Sequence, residues 1–495
     1  MRAFDRRMLI FFITAMLLPA CAQVPFGRDR TASINDEPDS GITAISSERG
    51  HETTLKVRGD SSRINKVSHE HAPDDEFAAE ENDRLAAAND DSEATVPPAP
   101  GGETDGYTLA QIEQIALQNN PALAQAAARV SAGYGRQIQA GLYPNPKAGY
   151  MGSEIGSDGT AGQQGAFVEQ EFVRGGKLAL NQNVAGWEAQ RLGWEAKAQE
   201  YRVLTSVRQS FYEVLIAQKQ VELAERILGT SQEGSKVADT LFKAKQGNRV
   251  DLLQARVEAN NARILVAKSK NRYQAAWTRL ATNLGTARMA PVTLVGEIES
   301  SPQELNADDA LAQILSNSPE LAAARTKIAR AQAALERARV EPIPNVEVQA
   351  GAQYDYSSNE PIAMLQIGLP IPVHNRNQGN IQAAECELVA AHREVERVQL
   401  DLENRLASVL ERYRNAQVQI ERFRNEILPD VKESLNLVTL GYREQELDYI
   451  RFLTAQRTNF QTNIDYLSAL QEWWGARLEI EGALLVNGLS APAGE

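Results

Sequence analysis

The chain is poor in the residues from which most catalytic and metal-binding sites are built. It holds two cysteines, Cys21 and Cys386, and five histidines in 495 residues. Three of those histidines, His51, His69 and His71, sit in a polar N-terminal stretch. His374 and His392 stand apart in the body, so no ligand-spaced cluster exists for zinc or copper. No Gly-x-Ser-x-Gly nucleophile elbow occurs. Lys177 follows two glycines in RGGKL, but a phosphate-binding loop needs Ser or Thr next, and Leu178 is there. The glycine-rich run GSDGTAGQQG lies between two strand-like stretches rather than before a helix. No enzyme activity and no cofactor are therefore expected. A basic surplus is missing too: the net charge of −14 argues against a nucleic-acid partner. No run of about 20 apolar residues follows the N-terminal region, so no membrane-spanning helix is expected. Aromatics make up only 6%.

What is present begins with an export signal. Arg2, Arg6 and Arg7 precede the apolar run MLIFFITAMLL, a basic region and a short hydrophobic one. It ends in Leu18-Pro19-Ala20-Cys21, which resembles the lipobox of bacterial lipoproteins. The resemblance implies removal of residues 1–20 and acylation of Cys21. In proteobacterial lipoproteins an Asp after the cysteine favours the inner membrane; Ala22 here is compatible with the outer one. Acylation of Cys21 leaves Cys386 no intrachain disulfide partner.

Residues 21–105 are acidic and irregular, with PDDEFAAEENDR and NDDSE, and hold too little apolar content to offset chain entropy. They read as a disordered tether. Beyond it the chain repeats itself. LQNNPALAQAAARV and LSNSPELAAARTKI open two copies of one unit, read here as 106–300 and 301–490. Pro121 and Pro319, Pro144 and Pro342, and Pro146 and Pro344 are each 198 residues apart. Each copy reads as a helix of about thirty residues (near Thr108–Gly141 and Ala307–Glu341) that ends at prolines. Two strand-like stretches follow, PKAGYMGSEIG and GAFVEQEFV, then NVEVQAGAQYDY and IAMLQIGLPIPV. In the third, Val346, Val348, Ala350, Ala352 and Tyr354 alternate with Glu347, Gln349, Gly351 and Gln353. That period of two fits a barrel wall between lipid and water, and equally a half-buried soluble strand. Very long helices come next, about Leu178–Lys245 and Gln378–Leu440, the second broken only by Pro429. At 1.5 Å per residue each reaches about 90–100 Å. A turn and a second helix follow each, near Asp251–Leu284 and Leu447–Leu485. Narrow apolar stripes such as Val395, Val398, Leu402, Leu406, Val409 and Tyr413 suit coiled-coil-like packing.

This order resembles the TolC family of bacterial outer-membrane efflux channels, from about Tyr107 to Leu485. The resemblance rests on both proline-marked copies, on EFVRGGKL and LPIPVHNRNQGNIQAA at the returns from strand to helix, on GNRVDLLQARVE and LDYIRFLTAQRTNF near the far turns, and on the closing YLSALQEWWGARLEIEGALL. LPIPVHNRNQGNIQAA and LLQAR resemble most the heavy-metal branch, the CzcC-like and CusC-like proteins. Three features depart from the pattern: Gln445 stands where many members have glycine, the first far turn reads as shorter than the second, and the acidic tether is longer than the family leads one to expect.

The resemblance implies a mainly α fold with a small β part. Two repeats of helix, β-hairpin and long helical hairpin assemble as a homotrimer, giving a 12-stranded outer-membrane barrel continued by a periplasmic helical barrel. Four strands per chain cannot close a barrel alone. The implied function is the exit duct of a tripartite efflux system, with a periplasmic adaptor, an inner-membrane resistance–nodulation–division pump, and metal cations as cargo. The far turns around Gly247 and Glu444–Asp448 are then the periplasmic mouth. Asp251, Glu446 and Asp448 are candidate entrance carboxylates, and Gly247, Glu444 and Gln445 are candidate adaptor contacts. A lipid-anchored helical adaptor or scaffold without a pore is the competing reading. Adaptors usually hold one hairpin within a β-rich domain, whereas this chain repeats two.

Overall fold

The computed structural model describes residues 106–489 apart from 160, 287, 300–304 and 445. The expected signal segment 1–20, Cys21, the tether 21–105 and Gln445 lie outside the described residues. Within them, one order of elements occurs twice. The first copy is α1 (Leu109–Asn119), α2 (Pro121–Ala140), β1 (Lys147–Ser153), β2 (Gln163–Phe172), α3 (Lys177–Lys243) and α4 (Arg249–Asn283). The second is α5 (Ala307–Asn317), α6 (Pro319–Val340), β3 (Val346–Asp355), β4 (Glu360–Gly368), α7 (Gln378–Arg422), α8 (Leu428–Arg443) and α9 (Tyr449–Glu481).

The single thirty-residue helices expected at the start of each copy are pairs. Pro121 and Pro319 carry no N–H and cannot continue a helix, yet they suit a first helical position. Asn120 and Ser318 take extended backbone before them and cap the new helix. Asn120 accepts from the Ala122 N–H at 2.9 Å, and Ser318 Oγ from the Leu321 N–H at 3.3 Å.

The first long helix, α3, runs unbroken for 67 residues, about 100 Å. Its counterpart does not. A π turn, Phe423–Ile427, joins α7 to α8, and the Leu428 N–H bonds to the Phe423 carbonyl. Pro429 has no N–H and its ring crowds the preceding turn, which the wider turn accommodates. The far turns, expected to differ in length, both span five positions, 244–248 and 444–448.

The four strands form one antiparallel sheet in the order β1-β2-β3-β4, so the two copies meet along a ten-residue β2–β3 seam. β4 stops at Gly368, short of the LPIPV included in the sequence reading, because Pro370 and Pro372 offer no ladder donors. The core lies between the helices of both copies and holds Phe211, Leu280, Leu402, Tyr413, Leu470 and Trp473. Burying each such side chain contributes roughly 1.5–3 kcal/mol. The linker between copies is stapled to this core. Trp474 Nε1 donates to the Ile298 carbonyl at 3.0 Å and Trp277 Nε1 to the Met289 carbonyl at 2.9 Å. Tyr107 pairs with Leu294 of the same linker in an isolated parallel bridge.

Candidate functional site

Register decides which side chains share a face, because directly opposed residues in antiparallel strands project to the same side. Ala148, Val168, Ala350 and Leu365 form one row straight across the sheet. Tyr150, Ala166, Ala352 and Ala363 form the next. With Phe172, Val346, Val348 and Ile367 they make an apolar face interrupted by Gln164 and Gln170, and Gln170 Nε2 donates to the Pro144 carbonyl at 3.0 Å. The other face carries Lys147, Glu169, Gln349 and Gln366 in one row, Glu171 opposite Glu347, and Ser153, Gln163, Asp355 and Glu360 at the far end. Phe167, Met151, Met364 and Ile362 interrupt it midway. Its charged groups are five carboxylates and one ammonium, and Lys147 Nζ lies 2.8 Å from Glu169.

Exposure discriminates between the two sequence readings of the alternation. A soluble half-buried strand hides its apolar side. Here polar Gln353 and Asp355 are buried, while Leu365 is 69% and Tyr150 66% exposed. The apolar side faces out, as a wall in lipid requires.

The returns from strand to helix reuse one device. Gly176 and Asn377, immediately before α3 and α7, both take left-handed backbone at φ 67° and 60°. Lys177, weighed above as a phosphate-loop lysine, is buried and tied to the other copy. Its Nζ donates to Asn345 Oδ1 at 3.2 Å and lies 4.0 Å from Glu341. Asn345 Nδ2 in turn donates to Glu171 at 2.6 Å. These partners are 168 and 174 residues apart, beyond the reach of any local motif.

At the opposite end of the long helices, both far turns share one small core. Ala238, Leu252, Ala255, Tyr449 and Phe452 pack there with Val438, Tyr442 and Leu453. Tyr442 stacks on Phe452, ring centres 5.3 Å apart. The candidate entrance residues all lie here. Asp251 stands half-buried in the first turn of α4, near Tyr442 and Tyr449, whose phenols are pushed up chiefly by burial and only secondarily by nearby carboxylates, Asp251 among them. Asp448 caps α9, accepting from the Arg451 N–H at 3.3 Å, and pairs with Arg451 at 3.8 Å. Exposed Glu446 sends its N–H to the Gly441 carbonyl at 2.8 Å, and Glu444 sends its own to Leu440 at 3.0 Å. Gly247 donates to the Leu241 carbonyl at 3.0 Å. Sequence reasoning missed the tie between hairpins: Arg457 on α9 reaches Glu258 on α4 at 2.7 Å. It also missed Tyr449, whose phenol is pushed up to about 12, chiefly by burial and next by Glu258. No group of three or more His, Cys, Asp or Glu placed to hold a metal ion occurs among the described residues. No described helix is long and apolar enough to cross a membrane.

Comparison with known proteins agrees with this architecture. The family model "Outer membrane efflux protein" matches residues 113–286 and 310–484, one stretch in each copy. The cobalt-zinc-cadmium resistance protein CzcC of Cupriavidus metallidurans is 28% identical over 400 residues, 80% of this chain and 94% of that protein. The pyoverdine export outer membrane protein OpmQ of Pseudomonas putida is 24% identical over 383 residues, 71% of this chain and 80% of that protein. A crystal structure of CusC shares the fold, with a TM-score of 0.64 at 19% identity over 79% of this chain and 96% of that one. The chain belongs to the outer membrane efflux protein family, and its sheet and hairpins are those of an outer-membrane channel that projects into the periplasm.

Proposed function

We propose that three copies of the chain close into one tube, a 12-stranded barrel continued by periplasmic helices, and that the tube is the exit duct of a tripartite efflux system for metal cations. The observation that carries the reading is an exposed apolar sheet face bounded by two unpaired edges, β1 and β4. In lipid each unpaired backbone group costs several kcal/mol, so the edges must pair with further copies. The carboxylate-rich face then lines the lumen. Five carboxylates against one lysine per chain favour cations by their field, without coordination. The kinship with a cobalt-zinc-cadmium resistance protein supports metal ions as the cargo. The activity is passage, with no catalytic step and no cofactor. A periplasmic adaptor and an inner-membrane resistance–nodulation–division pump are the partners, and Cys21 carries the lipid anchor. At the mouth, Asp251, Glu446 and Asp448 repeat threefold as a ring of carboxylates, while Gly247, Glu444 and Gln445 meet the adaptor. The pore-free adaptor reading leaves the two-faced sheet without a use.

A second reading of the cargo, organic export, is favoured by the pyoverdine-exporting relative. Deletion of the gene separates the two. Metal cargo predicts lower tolerance to zinc, cobalt, cadmium, copper or silver with unchanged tolerance to dyes and antibiotics; the reverse pattern defeats it. Single-channel recording in planar bilayers tests the mouth. Neutralising all three carboxylates is expected to lower cation selectivity, and unchanged selectivity removes their role.

A further inference from the structure

Midway along the long helices is a cavity of about 590 Å³, apart from both the sheet and the far turns. α3, α9, the end of α4 and residues 487–489 form its walls. Ser210 on the α3 wall stands 33 residues beyond Lys177, about 50 Å along the helix. The cavity therefore sits about halfway down the periplasmic projection. Its volume is ordinary for a small-molecule site, which spans about 300–1,000 Å³.

Its walls hold hydrogen-bonding groups that the fold leaves unused. Ser206 and Ser210 are only 9% and 7% exposed. Each hydroxyl accepts one bond, Ser206 from the Gly488 N–H at 2.9 Å and Ser210 from Asn283 Nδ2 at 2.7 Å. Neither donates to an acceptor among the described residues. Gln209 Nε2 donates to the Gly475 carbonyl at 3.0 Å, and Arg272 Nη2 donates to Gln471 Oε1 at 3.0 Å. Gln209 Oε1 and Gln471 Nε2 thus stay free to bond a guest. Tyr212 adds an apolar wall, stacked on Trp474 with ring centres 3.7 Å apart. Gly475 keeps the space open. A Cβ there would meet no heavy atom within 4 Å, so packing does not demand glycine, which is a poor helix former.

Charge narrows the guest further. The one carboxylate on the wall, Glu213, is matched by Arg279, whose Nε lies 3.2 Å away, so a metal ion or an amine gains little there. Arg272, joined to the wall through Gln471, has no acidic partner among the described residues. Around it, residues 259–283 of α4 hold five Lys and Arg and no Asp or Glu. We infer that the cavity binds an acidic saccharide. Its hydroxyls pair with Ser206, Ser210, Gln209 and Gln471, its ring packs on Tyr212, and its carboxylate meets Arg272. Two sources share that chemistry: the glycan strands of the cell wall, with their lactyl and peptide carboxylates, and uronic-acid polysaccharides. The site depends on neither the cargo nor the pump.

Titration calorimetry on the full chain, assembled in mild detergent, tests the site with three probes. These are an N-acetylglucosaminyl-N-acetylmuramyl peptide, a galacturonate tetramer and neutral chitotetraose. At least one acidic probe is expected to bind about tenfold or more tighter than chitotetraose, the value of one charge-assisted bond. Whichever acidic probe binds tighter identifies the source. Ser206→Ala and Ser210→Ala should each weaken binding by about two- to tenfold. Arg272→Gln should remove the preference for acidic probes. Gly475→Leu puts a side chain into the cavity and should abolish binding, while Gly475→Ala should leave thermal stability unchanged or raised. No binding of either acidic probe by the assembled protein overturns the assignment, as does equal binding of chitotetraose. Undiminished binding by folded Gly475→Leu also overturns it. Should that variant fail to fold, the serine variants decide, and unchanged affinity in both overturns the site.

Discussion

Leu365→Arg and Gln366→Arg sit one residue apart on β4 and test the two faces of the sheet directly. Leu365 continues the row Ala148, Val168, Ala350, and Gln366 continues Lys147, Glu169, Gln349 on the other face. Leu365 lies five residues from Glu360 and three from Gly368, about 17 and 10 Å along the strand. That places it well inside an apolar band about 25 Å tall. An arginine near the middle of such a band costs about 2–4 kcal/mol per chain, which the proposed trimer would raise to about 6–12 kcal/mol per barrel. Per chain, the folding equilibrium should fall by a factor of about 30 to 1,000. Gln366→Arg adds a cation beside carboxylates on a watered face and should stay within about 0.5 kcal/mol of the unmodified chain. Urea titration of folding into phospholipid vesicles, followed by tryptophan fluorescence, measures both. Equal costs, or a larger one for Gln366→Arg, would refute the assignment of the faces.

Other expectations concern the helices. Trp473→Ala removes a fully buried ring packed against Tyr413 and Trp474 and should cost about 3–5 kcal/mol; thermal unfolding showing less than about 1 kcal/mol would contradict its place in the core. The Glu258–Arg457 pair has one well-covered partner and one exposed partner, with side chains 15% and 59% accessible. A double-mutant cycle should therefore give only about 0.5–1 kcal/mol, shrinking in high salt; a coupling indifferent to salt speaks against an ionic tie. Burial favours the neutral phenol of Tyr449 and raises its pKa from 10.0 to about 12. Its contribution to stability is thus complete below pH 10 and is lost as pH climbs through 12. Tyr449→Phe should delete a late-titrating component from the ultraviolet tyrosinate titration, and an unchanged curve near pH 12 fails the prediction.

The elements that were legible in the sequence are those whose cause is local. Prolines at fixed offsets marked both copies, period-two alternation marked β3, and proline-free runs marked α3. Side-chain capping escaped notice at Asn120 and Ser318, where one cap turned each expected helix into two. Within one chain β4 ends at Gly368 because LPIPV, although apolar like a strand, has prolines at 370 and 372 that supply no ladder donors. Within the candidate site, spacing located the far turns but not what holds them together. The Lys177–Asn345–Glu171 chain and the Glu258–Arg457 tie each join residues more than 160 positions apart. Neither residue of such a pair carries a local signal, since a lysine before a long helix or an arginine on a helix surface is unremarkable until its partner is in place.

The same reasoning gives the duplication a physical meaning. In the proposed trimer, six identical units would give a sixfold ring, with every long helix bound to be straight or bent alike. Two copies in one chain free alternate positions to differ. α3 stays continuous, whereas its counterpart carries Pro429 and a π turn in which the Leu428 N–H bonds to the Phe423 carbonyl. Such a turn interrupts the regular α-helical bonding, and among the described residues only the second hairpin has it. The strand returns diverge in parallel: Glu169 and Glu171 in one copy become Pro370 and Pro372 in the other. In the proposed ring, the prolines distinguish the strand edge that faces another copy from the β2–β3 seam within the chain, so the two kinds of contact are free to differ in strength.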